Sequence, residues 1–313
     1  MEYAKRLRDI SKEDAIKSYE ELKDIACKKT TSFARAGIKA LDYFFLGHRL
    51  KAKTKHGFSF VDAMKNPERV TYLNEKVRKI RPNPDAIFKD SDELLKHQYA
   101  VFQLYYGSIN QFRPTEALRV YCTLKPKVGI LDFSAGWGGR CLAAMALGIP
   151  YYGFDANTQL ESAYKNIIKT YDHSAPASLT FKPSETVDFS KLKYDLIFTS
   201  PPYFMIEGYE KMPRYESDQA FLDIFFKPVV NNAWSSLIKG GHMALNMPHE
   251  MYMAVRKLLP PIWKRIVLPV SNRHPTNAIR GRTLGVEKER HEYTYVWKKT
   301  GESRTFTRKV KRT

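Results

Sequence analysis

Val128-Gly129-Ile130-Leu131-Asp132-Phe133-Ser134-Ala135-Gly136-Trp137-Gly138-Gly139 is the stretch on which the fold turns. Its first half is a short apolar run bounded by breakers, the pattern of a strand buried on both faces. The strand ends in an acid, and the glycines that follow allow positive φ and close backbone approach. An apolar helix from Cys141 to Leu147 comes next, so free N–H groups at its start lie beside the turn. Strand, glycine turn and helix in this order predict the first half of a βαβ unit.

The alternation continues downstream. Tyr151 to Asp155 reads as a second strand, 158–170 as a helix, a third strand ends near Phe181, and Tyr194 to Thr199 is a fourth. A helix at 219–237, a strand at 242–247, a helix at 249–258 and strands at 265–270 and 292–298 complete the series. Upstream, Pro114 opens a helix reaching Cys122. The residues before that are helical in spacing: Ile16, Tyr19, Leu22 and Ile25 form one face, Phe33, Ile38, Leu41 and Phe45 another, and Ser91 to Gly107 a third. Ser11 stands as an N-cap before acidic first-turn residues. The fold expected is α/β, a doubly wound, mostly parallel, seven-stranded Rossmann-like sheet with an N-terminal helical extension. The divisions are a basic helical region at 1–107, with Arg81-Pro82-Asn83-Pro84 as a linker, an α/β domain at 108–300, and a basic tail at 301–313.

Three motifs carry chemistry. The first is the turn itself, where Asp132, Ser134, Ala135, Gly136, Trp137 and Gly138 are candidate ligand contacts. Nicotinamide enzymes use similar turns, but GxGxxG is not matched, since Cys141 holds the last position, and Trp137 would crowd a pyrophosphate. The second is Asp155, about 20 residues on, placed to accept hydrogen bonds from ribose hydroxyls; Phe154 or Ala156 is placed to pack on an adenine face, and a helix N-cap is the plainer role for the acid. The third is Ser200-Pro201-Pro202-Tyr203. Two prolines end a buried strand and make a rigid loop with outward carbonyls. An exocyclic amino group is a poor nucleophile because its lone pair is delocalised into the ring. Hydrogen bonds from such a group to the Ser200 hydroxyl and the Pro201 carbonyl would localise that pair, and Tyr203 is placed to stack on a base.

Together these motifs resemble the amino-methyltransferase superfamily that makes N6-methyladenine and N4-methylcytosine. The resemblance covers about 108–299, with the cofactor motif before the catalytic one, as in that family's γ arrangement. It implies a methyltransferase sheet and S-adenosylmethionine as cofactor. The turn, with Ser134 and Trp137 departing from the family pattern, would be the cofactor loop, Asp155 the ribose acid, and Ser200 to Tyr203 the catalytic tetrapeptide. Phe112 and Pro114, in Gln111-Phe112-Arg113-Pro114-Thr115, would contact the methionine end, and Glu185 the adenine. Adenine and cytosine stay open. Carbon-5 methylation needs a nucleophilic thiolate, usually in a Pro-Cys dipeptide, and none occurs.

Charge points to the same substrate class. The chain of 313 residues carries a net +19, a field that draws polyanions. From Lys28 to Arg81 bases outnumber acids roughly three to one, and the chain from Arg256 onward is basic again. Candidate nucleic-acid contacts are Arg273, Arg280 and Arg282 between the last two strands, the segment Phe204 to Tyr215, and the N-terminal helices. DNA is expected over RNA, with an RNA adenine-N6 methyltransferase and a non-catalytic nucleic-acid-binding subunit as alternatives. Cys27, Cys122 and Cys141 form no CxxC pair; they read as reduced, buried thiols of a soluble, intracellular protein, with no metal site. No stretch nears the roughly 20 apolar residues of a membrane span.

Overall fold

The structure is a computed structural model that describes residues 2–25, 27–28, 35–81, 83–202, 215–269, 291–301 and 305–307. Among these, seven strands form one sheet: β1 Ile130–Asp132, β2 Tyr151–Phe154, β3 Ala177–Thr180, β4 Leu196–Thr199, β5 His242–Met247, β6 Lys264–Pro269 and β7 His291–Lys298. Their order is β3-β2-β1-β4-β5-β7-β6. β1 to β5 are parallel, and β7 runs antiparallel to both its neighbours. The chain leaves β1 towards β2 and β3, then returns to β1's other side for β4. The β1/β4 boundary is therefore the switch point, where open α/β sheets hold ligands beyond the strands' carboxyl ends.

Side-chain alternation assigns the two faces. Ile130, Leu196, Phe198, Ala244 and Val296 point to one core and Leu131, Ile197, Met243, Leu245, Tyr295 and Trp297 to the other. Helices α8 (Pro114–Leu124), α9 (Gly139–Ala146) and α10 (Glu161–Thr170) cover the first; α11 (Asp218–Phe221), α12 (Lys227–Ser236) and α13 (His249–Val255) cover the second. Helices on both faces make the sheet doubly wound, as expected.

The N-terminal residues form α1 (Glu2–Leu7), α2 (Lys12–Ile25), α3 (Ile38–Lys51), α4 (Phe60–Met64), α5 (Pro67–Ile80), α6 (Pro84–Lys89) and α7 (Ser91–Tyr106). Ser11 Oγ accepts from the Asp14 N–H at 3.0 Å, the expected N-cap. α5 ends at Ile80 and α6 begins at Pro84, four residues on. α2 and α3 bury Tyr19, Leu22, Leu41 and Phe45 in the same cluster as Ile130, Trp137 and Tyr164, so they share a core with the sheet. α4, α5 and α7 pack around a third cluster with Leu46 and Leu50 from α3.

One expectation is overturned. Cys27 and Cys122 form a disulfide, with Cα atoms 5.4 Å apart, joining the end of α2 to α8. Their separation of 95 residues hides the pairing from any motif. Only Cys141 is a buried free thiol, and burial drives its pKa far up. The thiol argument for an intracellular setting therefore falls away. Closing so long a loop restricts the unfolded chain, so reduction or Cys122→Ser should cost about 3–5 kcal/mol. Urea melts with and without reductant check this; coincident midpoints would show that the bond does not form in solution. No helix among the described residues is long and apolar enough to cross a membrane.

Candidate functional site

The three motifs arrive at one edge. β1 pairs β2 with Asp132 opposite Gly153, and pairs β4 with Ile130 opposite Leu196. Continuing both registers past the strands puts Ser134 level with Asp155 on one side and with Ser200 on the other. Neighbouring strands lie about 4.8 Å apart, so turn, acid and Ser-Pro-Pro segment occupy one row roughly 10 Å wide. The Ala135 N–H donating to the Phe154 carbonyl at 2.9 Å carries the β1–β2 ladder into the turn.

The turn is held from several sides. Asp155 Oδ2 accepts from the Gly136 N–H at 2.7 Å, and its Oδ1 from the Asn157 N–H at 2.8 Å. Burial pushes the Asp155 carboxyl above its ordinary value, against those two hydrogen bonds. The Tyr164 hydroxyl donates to the Gly136 carbonyl at 3.0 Å. Ser184 Oγ donates to the Phe133 carbonyl at 2.7 Å and sets Glu185, half-buried, beside the same edge.

The glycines divide their labour. Gly136 (φ 59°) is the open one: a Cβ there would meet nothing nearer than the Ser134 carbonyl at 3.8 Å. At Gly138 (φ 81°) a Cβ would lie 2.6 Å from the Phe45 ring, and at Gly139 it would lie 1.9 Å from the Phe112 carbonyl. Gly138 and Gly139 are small because protein packs on them, whereas sequence reasoning counted Gly138 as a ligand contact. Trp137 is turned inward against Phe45, edge to face with centroids 6.5 Å apart, so its bulk does not crowd the crevice.

Asp132 is also placed differently from a ligand contact. Its fully buried carboxylate accepts from Arg140 Nε at 2.6 Å, Arg140 Nη2 at 3.3 Å, the Tyr151 hydroxyl at 2.6 Å and the Ser134 N–H at 3.2 Å. Arg140 Nη2 donates in addition to the Ser134 carbonyl. Burial alone would lower the Arg140 pKa, but Asp132 and Tyr151 beside it raise it overall. Arg140, Tyr151 and Tyr164 were missed in sequence; each lies inside an ordinary strand or helix pattern that marks no function.

Phe112 packs edge to face on Phe198 at 5.6 Å with the Arg140 guanidinium 5.3 Å from its ring. Pro114 is buried and abuts Gly37. Phe154 packs on Phe189 in the core, which leaves half-buried Ala156 as the apolar contact at that strand end. Ala135 is buried under the turn. Ser200 and Pro202 are half-buried and Pro201 buried, directly after β4. Tyr215, where the described chain resumes, has a buried hydroxyl with no hydrogen-bond partner among the described residues; burial, then the Glu185 charge, pushes its pKa up to about 12. Tyr203, Arg273, Arg280, Arg282 and the tail from Arg308 lie outside the described residues. The anchors of the 270–290 segment are described. β6 runs parallel to β5 through their shared partner β7, and Pro269 pairs His291, so these two residues both lie at the carboxyl edge.

No family model matches the sequence, and neither does any curated protein. Among solved structures, the chain is similar to TrmN from Thermus thermophilus, with 13% identity over 87% of this chain and 88% of that one and a TM-score of 0.42. It is similar to NSun6 from Pyrococcus horikoshii at 14% identity and a TM-score of 0.41, over 64% of this chain and 55% of that one, so it spans about half of that protein's length. The N-methyltransferase NodS from Bradyrhizobium japonicum, in complex with S-adenosylhomocysteine, is similar at 9% identity over 72% and 96%, with a TM-score of 0.39.

Proposed function

We propose that this chain is an S-adenosylmethionine-dependent methyltransferase that methylates the exocyclic amino group of a base, adenine N6 or cytosine N4, in DNA. The observation that carries the reading is the single row formed by the glycine turn, Asp155 and Ser200-Pro201-Pro202 at the carboxyl ends of β1, β2 and β4.

The residues present fit the cofactor. Gly136 leaves the turn's face open, the Asp155 carboxyl has lone pairs beyond the two N–H groups it already accepts, and Ala156 and Glu185 flank it. Asp155 would accept from the ribose hydroxyls. Bound there, S-adenosylmethionine supplies a methyl group on a positive sulfur. The chain's own contribution is orientation and charge placement, with no covalent intermediate. The Ser200 hydroxyl and Pro201 carbonyl would accept from the base's amino group and localise its lone pair. The rigidity of two prolines keeps those acceptors from swinging away, and Tyr203 would stack on the extruded base. The motif resemblance favours DNA, and the charge of +19 suits a polyanionic substrate.

Ser200→Ala should lower kcat about 10–100-fold, the worth of one or two hydrogen bonds in a dry site, with cofactor affinity unchanged. Transfer of tritiated methyl to DNA and RNA in parallel, followed by digestion to nucleosides, measures this and identifies the base. Label in RNA alone replaces the polymer; label in neither overturns the reading.

A further inference from the structure

We propose that the surface made by α5, the end of α7 and the turn at 53–58 docks the phosphate backbone of duplex DNA outside the catalytic row, an inference that rests on the methyltransferase reading only for the identity of the polymer. Residues 51–81 carry nine Lys or Arg against three Asp or Glu, six of the chain's nineteen net charges in a tenth of its length. Several of these cations sit on rings. The Arg69 guanidinium lies 3.9 Å from the Phe58 centroid. The Lys76 ammonium lies 4.8 Å from Tyr72 and 5.3 Å from Tyr105, whose rings meet edge to face at 5.9 Å.

A ring holds a cation in place without neutralising it. On the same surface Arg78 is paired with Asp85 at 3.3 Å, as Lys39, Lys96, Lys165 and Lys227 are with carboxylates elsewhere, which offsets their field. Arg69 and Lys76 are thus fixed and still positive, with Lys55 and Lys79 exposed nearby. Because the cations cover ring faces, the surface suits phosphates and not stacked bases. Its position fits too. Tyr106 ends α7 six residues before Phe112, whose carbonyl packs on Gly139 of the glycine turn. Six residues span at most about 22 Å, less than one helical turn of duplex, about 34 Å. A duplex with one base at the catalytic row is therefore long enough to extend as far as the end of α7.

The test is fluorescence anisotropy with a fluorescein-labelled DNA duplex, titrated at several salt concentrations. Lys55→Gln with Arg69→Gln and Lys76→Gln should reduce the slope of log affinity against log salt by about 2–3 and weaken binding roughly 10–100-fold. Arg69→Lys alone, which keeps the charge, should keep the slope. The control Lys12→Gln with Lys17→Gln and Lys239→Gln removes the same charge elsewhere and should change affinity by less than about threefold. Thermal melts of each variant verify that it folds. A loss no larger than the control's overturns the proposal, as does tighter binding of an RNA duplex or equal competition by polyglutamate. If that happens while wild type still methylates DNA, the docking surface fails and the methyltransferase reading stands. A patch-dependent salt slope without methyl transfer to either polymer leaves the surface standing and removes the reading.

Discussion

Asp155→Ala weakens S-adenosylmethionine binding roughly 100–10,000-fold on the proposed reading, the largest functional loss expected from one substitution. The size follows from two hydrogen bonds to a charged acceptor, each worth about 1.5–3 kcal/mol. The same carboxylate accepts from the Gly136 N–H at 2.7 Å. Removing it therefore also frees the one turn residue whose face is open. Asp155→Asn keeps an oxygen for Gly136 but presents an amide donor to the second hydroxyl, and should lose about a tenth as much. The pH dependence has a definite sign. Burial raises the Asp155 pKa above the ordinary carboxylate range, and the ionised form is the better acceptor. Affinity is full above that raised pKa and falls as pH drops through it, at a higher pH than for an exposed aspartate. The raised pKa also means that folding disfavours the ionised form, so Asp155 gives up folding stability above its unfolded value in exchange for a poised acceptor. Isothermal titration of wild type and both variants across mildly acidic pH measures each point. Unchanged affinity in Asp155→Ala removes the acid from the cofactor site.

The sheet was legible in sequence because its strands are buried on both faces. Ile130-Leu131 and Leu196-Ile197-Phe198 leave no polar position to confuse the period. The row of three motifs was legible for a related reason: glycine, proline and a strand-end acid each impose a backbone constraint that composition reveals. What stayed hidden is what depends on distant partners. Gly138 looked like a ligand glycine, and its left-handed backbone together with Phe45, brought in by α3, accounts for it. Trp137 looked too large for its turn until the same ring received it. Cys27 and Cys122 carry no local signal at all. Asp132 occupies a position that often faces a ligand, and the arginine that claims it lies eight residues on, in a helix that otherwise reads as apolar. In each case the sequence specifies the residue type and the tertiary partner specifies its use.

That last pair leads to the largest stability effect expected. Asp132→Asn should destabilise the protein by about 3–5 kcal/mol, because it leaves the Arg140 guanidinium buried without a counter-charge. The carboxylate meets four donors on two oxygens: two from Arg140, one from Tyr151 and one from the Ser134 N–H. An asparagine nitrogen would face at least one of them donor to donor. The melting temperature should fall by roughly 6–15 °C for that loss. Arg140→Met alone should cost a comparable amount, since it strands the carboxylate in turn. The double variant, Asp132→Asn with Arg140→Met, should recover about 1–3 kcal/mol relative to the sum of the singles, because neither group then remains charged. The consequence reaches the site. Arg140 also donates to the Ser134 carbonyl, so the ion pair ties the first residue of the glycine turn to the floor beneath it. Both single variants should weaken cofactor binding, even though neither side chain faces the crevice, and the double variant should not restore it. Urea melts with cofactor titrations on the same four proteins separate the two effects. A melting shift under about 2 °C in Asp132→Asn would mean that the pair is wet and loose, and the turn would then need another support.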